Sequence, residues 1–150
     1  MKLAEALQIR KELVEKINQL GERLYKNGVV QEGEKPAEDP IYLLGELDKA
    51  IESYREYVYR INLTNSRTET KKGSLSSLLA KRDALERKRV IYSQFSESAS
   101  SIVPRYSNSE IKQRPSVDVS KLQKDIDLIS KEIREIDLLI QETNWLTELI

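Results

Sequence analysis

Residues 120–150 read SKLQKDIDLISKEIREIDLLIQETNWLTELI, and this stretch decides the fold class. Its apolar residues recur at alternating steps of four and three, which places them on one side of an α-helix. These residues are Leu122, Ile126, Ile129, Ile133, Ile136 and Ile140. The spacing predicts a helix over residues 120–147, about 42 Å long at roughly 1.5 Å per residue. Ser120 is its expected N-cap, because a serine oxygen accepts a free N–H of the first turn.

The preceding residues contain three more segments with helical spacing, at residues 2–26, 40–63 and 75–97. The predicted core stripes of the first two helices are Leu3, Ala6, Leu13, Ile17, Leu20 and Leu24, and then Leu44, Leu47, Ile51, Tyr54, Val58 and Ile61. Asn27 and Gly28 tolerate the left-handed conformation that closes a helix. Asp39 before Pro40 predicts an N-cap followed by a proline in the first turn.

These elements predict an all-α fold, with residues 1–150 forming a single helical domain. We expect an elongated antiparallel four-helix bundle built from two long helical hairpins. A polar loop over residues 102–119 lies before the last helix. Loops of this length are uncommon in compact domains unless they are functional or disordered.

Composition removes several kinds of chemistry. The 150 residues include 25 Lys and Arg, 25 Asp and Glu, no Cys and no His. Thiolate nucleophiles and the commonest general base and metal ligand are therefore excluded. Zero formal net charge gives no general attraction to nucleic acid or to an anionic membrane. We predict no enzyme activity, catalytic residue, cofactor, metal site, nucleic-acid partner or stable membrane association. The expected location is the cytoplasm, since no signal peptide or apolar span is visible.

The candidate functional residues form a polar interaction cluster, made of Arg82, Asp83, Arg105, Tyr106, Ser107, Ser109, Glu110, Lys112 and Trp145. Arg82 occupies a core-type position, where it can lie at the stripe's edge with its head in water. Alternatively, it selects one pairing of helices or subunits, or it belongs to a ligand or catalytic pocket. The loop either binds a partner or simply crosses between helices. Trp145 either closes the bundle end or anchors a subunit contact.

Several segments occur in the order found in one protein family. They are residues 30–34, Ile61-Asn62-Leu63-Thr64-Asn65, Arg82-Asp83, residues 105–112 and Asn144-Trp145. The chain resembles the septicolysin-like family of small bacterial helical proteins, over its whole length. Residues 105–112, RYSNSEIK, are the most specific part of this resemblance. The resemblance implies a helical cytoplasmic bacterial protein and supplies no catalytic residue.

The predicted function is that of a non-enzymatic, self-associating helical scaffold or interaction protein. Apolar residues beside the core stripes support this prediction, namely Leu43, Tyr57, Leu79, Val90, Ile91, Leu128 and Leu139. A second copy of the chain would cover them, so we expect a homo-oligomer, a dimer or larger, that also contacts an unknown protein partner. The alternative is a membrane-active, cytolysin-like protein whose amphipathic helices rearrange at a lipid surface.

Overall fold

The computed structural model describes residues 1–102 and 111–150, and over these residues the chain is built from four long helices. The helices are α1 (Leu3–Lys26), α2 (Pro40–Arg67), α3 (Leu75–Ser100) and α4 (Val119–Leu146). Two-residue strands β1 (Glu69–Thr70) and β2 (Gly73–Ser74) pair antiparallel between α2 and α3. The all-α fold class predicted from the sequence is confirmed.

The residues of the chain form two compact units. The first unit contains Met1–Ser74 together with Thr143–Ile150, and the second contains Leu75–Glu142. The first unit therefore holds the α1–α2 hairpin and the last residues of the chain. The second holds α3 and most of α4.

Helices α1 and α2 form an antiparallel hairpin. Lys16 Nζ lies 3.8 Å from Glu46 Oε2 of α2, and Arg23 Nε donates at 3.0 Å to Glu38 Oε2, just before α2 begins, so later positions on α1 meet earlier positions of the following segment. The buried centre of the hairpin consists of Leu20, Leu43 and Ala50, with Ile17, Leu24 and Leu47 packed against it. Burial of these apolar side chains stabilises the hairpin by about 25 cal/mol per Å² removed from water.

The core stripe of α2 differs from the predicted one at two of its six positions, Leu44 and Ile51, where the neighbouring Leu43 and Ala50 are buried instead. Its buried or half-buried apolar residues are Leu43, Leu47, Ala50, Tyr54, Tyr57, Val58, Ile61 and Leu63, and Thr64 is buried beside them. Leu44 is 45% exposed and Ile51 is 46% exposed, so their predicted core positions are wrong. Ala50 is only 3% exposed. A small side chain at that position lets two helices approach closely, whereas the sequence prediction followed the larger apolar side chains.

The end of α1 was predicted correctly but for a different physical reason. Asn27 is the C-cap residue, with φ of −107°, which is outside the left-handed region. Its Nδ2 donates to the Arg23 carbonyl at 2.8 Å, and its Oδ1 accepts from the Glu38 N–H at 3.0 Å. The side-chain amide therefore closes the helix and fixes the connection to α2. The predicted cap at Asp39 is confirmed, since its carboxylate accepts from the Ile41 N–H at 3.0 Å.

Helix α2 continues to Arg67, beyond the predicted end at residue 63. Thr64 Oγ1 donates to the Arg60 carbonyl, and Thr68 Oγ1 donates to the Thr64 carbonyl, both at 2.8 Å. Hydroxyls that bond to the preceding turn do not displace its helical hydrogen bonds. Thr64 is fully buried and also accepts from the Ile150 N–H at 3.0 Å.

The residues after α4 pair with the start of the chain, within the first unit. Leu3 N–H donates to the Thr147 carbonyl at 2.9 Å, and Leu149 N–H donates to the Met1 carbonyl at 2.9 Å. An isolated antiparallel bridge joins Lys2 and Glu148. This terminal bridge, residues 1–3 paired with residues 147–149, was not predicted from the sequence.

In the second unit, α4 buries the predicted isoleucine stripe. Ile126, Ile129, Ile133, Ile136 and Ile140 are all at most 8% exposed, which confirms the stripe. The predicted cap at Ser120 is wrong, because the helix begins one residue earlier and Asp118 Oδ1 accepts from the Lys121 N–H at 3.1 Å. The Asp118 carboxylate replaces the expected serine oxygen in the same role.

Candidate interaction surface

Helix α1 has a second stripe beside its core stripe. Its members again follow at steps of four and three, namely Leu7, Lys11, Val14, Asn18, Gly21 and Tyr25. Val14 is 40% exposed and Tyr25 is 90% exposed. We call these six residues the outer stripe. The outer stripe was not predicted, although its spacing is visible in the sequence, because it contains polar residues and a glycine among the apolar ones.

Helix α2 adds apolar side chains beside the outer stripe. An open groove of about 810 Å³ runs between the two helices, and Gly21, Tyr25, Leu47 and Ile51 are among the residues that line it. A Cβ atom at Gly21 would meet no atom within 4 Å. The groove floor at this glycine is therefore open helix backbone with free space above it.

Two charges of opposite sign lie along the outer stripe. Lys11 belongs to it, and Glu22 follows Gly21 and borders the groove. Both side chains are exposed, and neither has an ion-pair partner among residues 1–102 and 111–150. Two other charged side chains of α1 are already paired, Lys16 with Glu46 and Arg23 with Glu38. Lys11 and Glu22 can therefore interact with another molecule without breaking an existing pair.

Arg82 and Asp83 of the predicted polar cluster do not act together. Arg82 Nη1 reaches Asp137 Oδ1 of α4 at 3.1 Å, and the two side chains are 41% and 38% exposed. Asp83 instead pairs with Arg87 one turn further along α3, at 3.0 Å. Arg82 therefore lies at the stripe's edge and also contributes a contact between α3 and α4.

Of the other seven residues in the predicted polar cluster, the structure describes two, Lys112 and Trp145. Arg105, Tyr106, Ser107, Ser109 and Glu110 lie outside the described residues, and Lys112 is exposed in the segment before α4. Trp145, in the last turn of α4, is 65% exposed. Its ring therefore does not close a helix end by burial.

Ion pairs in the first unit lower the pKa of two glutamates, Glu148 and Glu38. Lys2 Nζ lies 2.7 Å from Glu148 Oε1, and the Met1 amino group lies 3.0 Å from Glu148 Oε2. The hydrogen bonds from Lys2 and from the amino group lower the pKa of Glu148. The hydrogen bond from Arg23 likewise lowers the pKa of Glu38. These contacts keep both carboxylates ionised.

In the described part of the chain, none of the helices combines the length and apolar character required to cross a bilayer. Over the same residues, no three or more acidic side chains come together as a group that could hold a metal ion.

The fold and this surface define an all-α protein with an α1–α2 hairpin that exposes an apolar groove between charged side chains. Residues 10–149 match a family of unknown function, DUF6847, and the chain belongs to this family. It is similar in structure to a functionally unknown conserved protein from Corynebacterium diphtheriae, with a TM-score of 0.92 and 42% sequence identity. The match covers 100% of this chain and 99% of that one. No curated protein matches the sequence significantly. The septicolysin-like resemblance is not addressed by these matches and stays a prediction.

Proposed function

We propose that the protein is a non-enzymatic helical scaffold that self-associates and binds a further protein through exposed side chains. The observation that carries this proposal is the amount of apolar surface left outside the buried stripes. Tyr25 is 90% exposed, Leu128 is 64% exposed, Leu138 is 68% exposed and Trp145 is 65% exposed. Large exposed apolar side chains of this kind are typical of interaction surfaces.

The partner of this surface is, in the first place, a second copy of the chain. Zero formal net charge removes the long-range repulsion that would oppose association of identical chains. The polar segment between α3 and α4 is the proposed contact for an unidentified protein partner, because mixed polar side chains on loops often bind. The proposed location is the cytoplasm.

The ionisable groups support recognition at a surface rather than acid–base chemistry. The pKa of Glu46 and that of Glu52 are lowered, first by hydrogen bonds from Lys49 and Arg55. Both carboxylates therefore stay charged, each in an ion pair at the surface. A general acid at neutral pH needs the opposite shift, toward the working pH.

Sedimentation equilibrium at micromolar concentration tests the self-association. The proposal expects a mass of at least twice the 17.4 kDa of one chain. A single species of 17.4 kDa throughout that range would contradict it. Leakage of vesicles made from anionic or neutral lipids tests the membrane-active alternative, and the scaffold proposal expects none.

A further inference from the structure

We infer that the outer stripe of α1 is the self-association site, and that its partner is the same stripe of a second copy, packed antiparallel about a twofold axis. This inference rests on the proposed self-association and names the surface that produces it. A twofold interface brings one patch onto itself, so each residue must face a residue of complementary shape or charge. When the outer stripe is reversed, two of its three residue pairings meet this requirement, Leu7 with Tyr25 and Lys11 with Gly21.

When the outer stripes of two copies run antiparallel, the first residue of one stripe faces the last residue of the other, and the pairing continues inwards. Leu7 then faces Tyr25 of the second copy, Lys11 faces Gly21, and Val14 faces Asn18. The outer pair is apolar, and the 90% exposed Tyr25 ring gains a partner that this chain does not give it. Helix pairs that follow steps of four and three pack in this way along a shared seam.

Lys11 and Gly21 fit each other in shape. Gly21 has free space where a Cβ would lie, so the long Lys11 stem of the second copy can cross it. The Lys11 ammonium then reaches Glu22, which directly follows the glycine. Because the interface is twofold, the same pair forms twice. Lys11 and Glu22 are about three helical turns apart in one chain, so they cannot pair within it.

The reciprocal charge pair makes a second copy a better occupant than an unrelated helix. A stripe with charges of one sign would repel its own copy, whereas Lys11 and Glu22 attract theirs at both positions. The groove beside the stripe adds apolar contact area from α2, where Ile51 is 46% exposed.

Charge reversal tests the pairing. Lys11→Glu puts two acidic positions opposite each other twice, and Glu22→Lys does the same with basic positions. We expect each variant alone to raise the dimer dissociation constant by about tenfold or more. An equimolar mixture of the two variants restores a complementary pair at both positions and should associate like the native chain. The double variant carries both reversals, keeps the native net charge and should also associate normally.

Substitution of Gly21, with Gly45 as the control position, provides a test that does not depend on charge. Gly21→Gln fills the space above the α1 backbone and should abolish association. Gly45→Gln is the matched control, because Gly45 is also helical and also has open space at its Cβ position, but it does not line the groove. Both substitutions replace a helical glycine and should preserve or raise helix stability. Circular dichroism verifies that each variant is folded.

The outcomes separate this inference from the proposed self-association. If the native chain is a dimer and the Lys11, Glu22 and Gly21 variants all keep its dissociation constant, another surface forms the dimer and this inference is overturned. A mixture of the two charge variants that stays monomeric overturns it as well. If the native chain is a monomer at every concentration, the proposed self-association fails and the inference fails with it.

Discussion

The hydroxyl of Thr64 accepts a hydrogen bond from the backbone N–H of Ile150 at 3.0 Å, which ties Ile150 to the last turn of α2. The same hydroxyl donates to the Arg60 carbonyl at 2.8 Å. Arg60 in turn donates from Nε to the Ile150 carbonyl at 2.9 Å. Together with the terminal bridge, these bonds hold residues 147–150 against α2 and the start of the chain, within the first unit.

Thr64→Val keeps the shape of this buried side chain and removes its hydroxyl. The Ile150 N–H then loses its partner, and an unsatisfied donor costs about 1–3 kcal/mol, with the lower end expected here because Ile150 is 47% exposed. Urea denaturation should show a fall in the free energy of unfolding within this range. Ser66→Ala is the control, since the exposed Ser66 hydroxyl only donates to the carbonyl of Leu63, three residues earlier. Equal midpoints for the two variants would show that the Thr64 contacts contribute nothing.

Ile133→Asp should unfold the second unit or the whole chain. Ile133 is 5% exposed in the middle of the buried α4 stripe. An unpaired carboxylate there costs several kcal/mol, comparable with the stability of a domain of this size. Lys131→Asp, on the exposed side of the same helix, should change the melting temperature little. The stripe assignment is refuted if the two variants melt together.

The contact between Glu148 and Lys2 should make stability depend on pH. Because the pKa of Glu148 is lowered in the folded chain, its contribution is present at neutral pH. It is lost as the pH falls through about 4 and below, where the carboxyl becomes protonated in the folded state as well. Glu148→Gln should therefore lower the melting temperature at pH 7 and have little effect near pH 2. Glu15→Gln, which changes an exposed glutamate without an ion pair among the described residues, should have no such effect at pH 7. A Glu148→Gln effect of the same size at both pH values would contradict this origin.

The sequence predicted what depends on strong local periodicity. The α4 stripe, with five isoleucines that are all buried, was visible because every member is large and apolar. The α2 stripe was displaced because its true members include Ala50 and Thr64, whose burial depends on the neighbouring helix and on Ile150. The terminal bridge was invisible for a related reason. The backbone hydrogen bond between Leu3 and Thr147 depends on how the whole first unit folds, and no side-chain pattern in the sequence predicts it.

The candidate site was harder to predict than the fold. The sequence directed attention to polar residues, and Arg82 and Asp83 turned out to have separate partners. The outer stripe was overlooked because Gly21 is not apolar and Lys11 is charged. Its significance depends on exposure, on free space above a glycine and on two unpaired charges, which are properties of the folded hairpin.

Disulfide cross-linking tests the central claim, antiparallel pairing of the outer stripe, most directly. The chain has no cysteine, so single-cysteine variants carry one thiol each. Val14→Cys mixed with Asn18→Cys should form a disulfide-linked dimer under mild oxidation, because these positions face each other and a disulfide needs Cα atoms within about 7 Å. Val14→Cys mixed with Gln19→Cys should not, since Gln19 lies on another side of α1. Cross-linking of the second mixture as fast as the first, or of neither, would contradict the pairing.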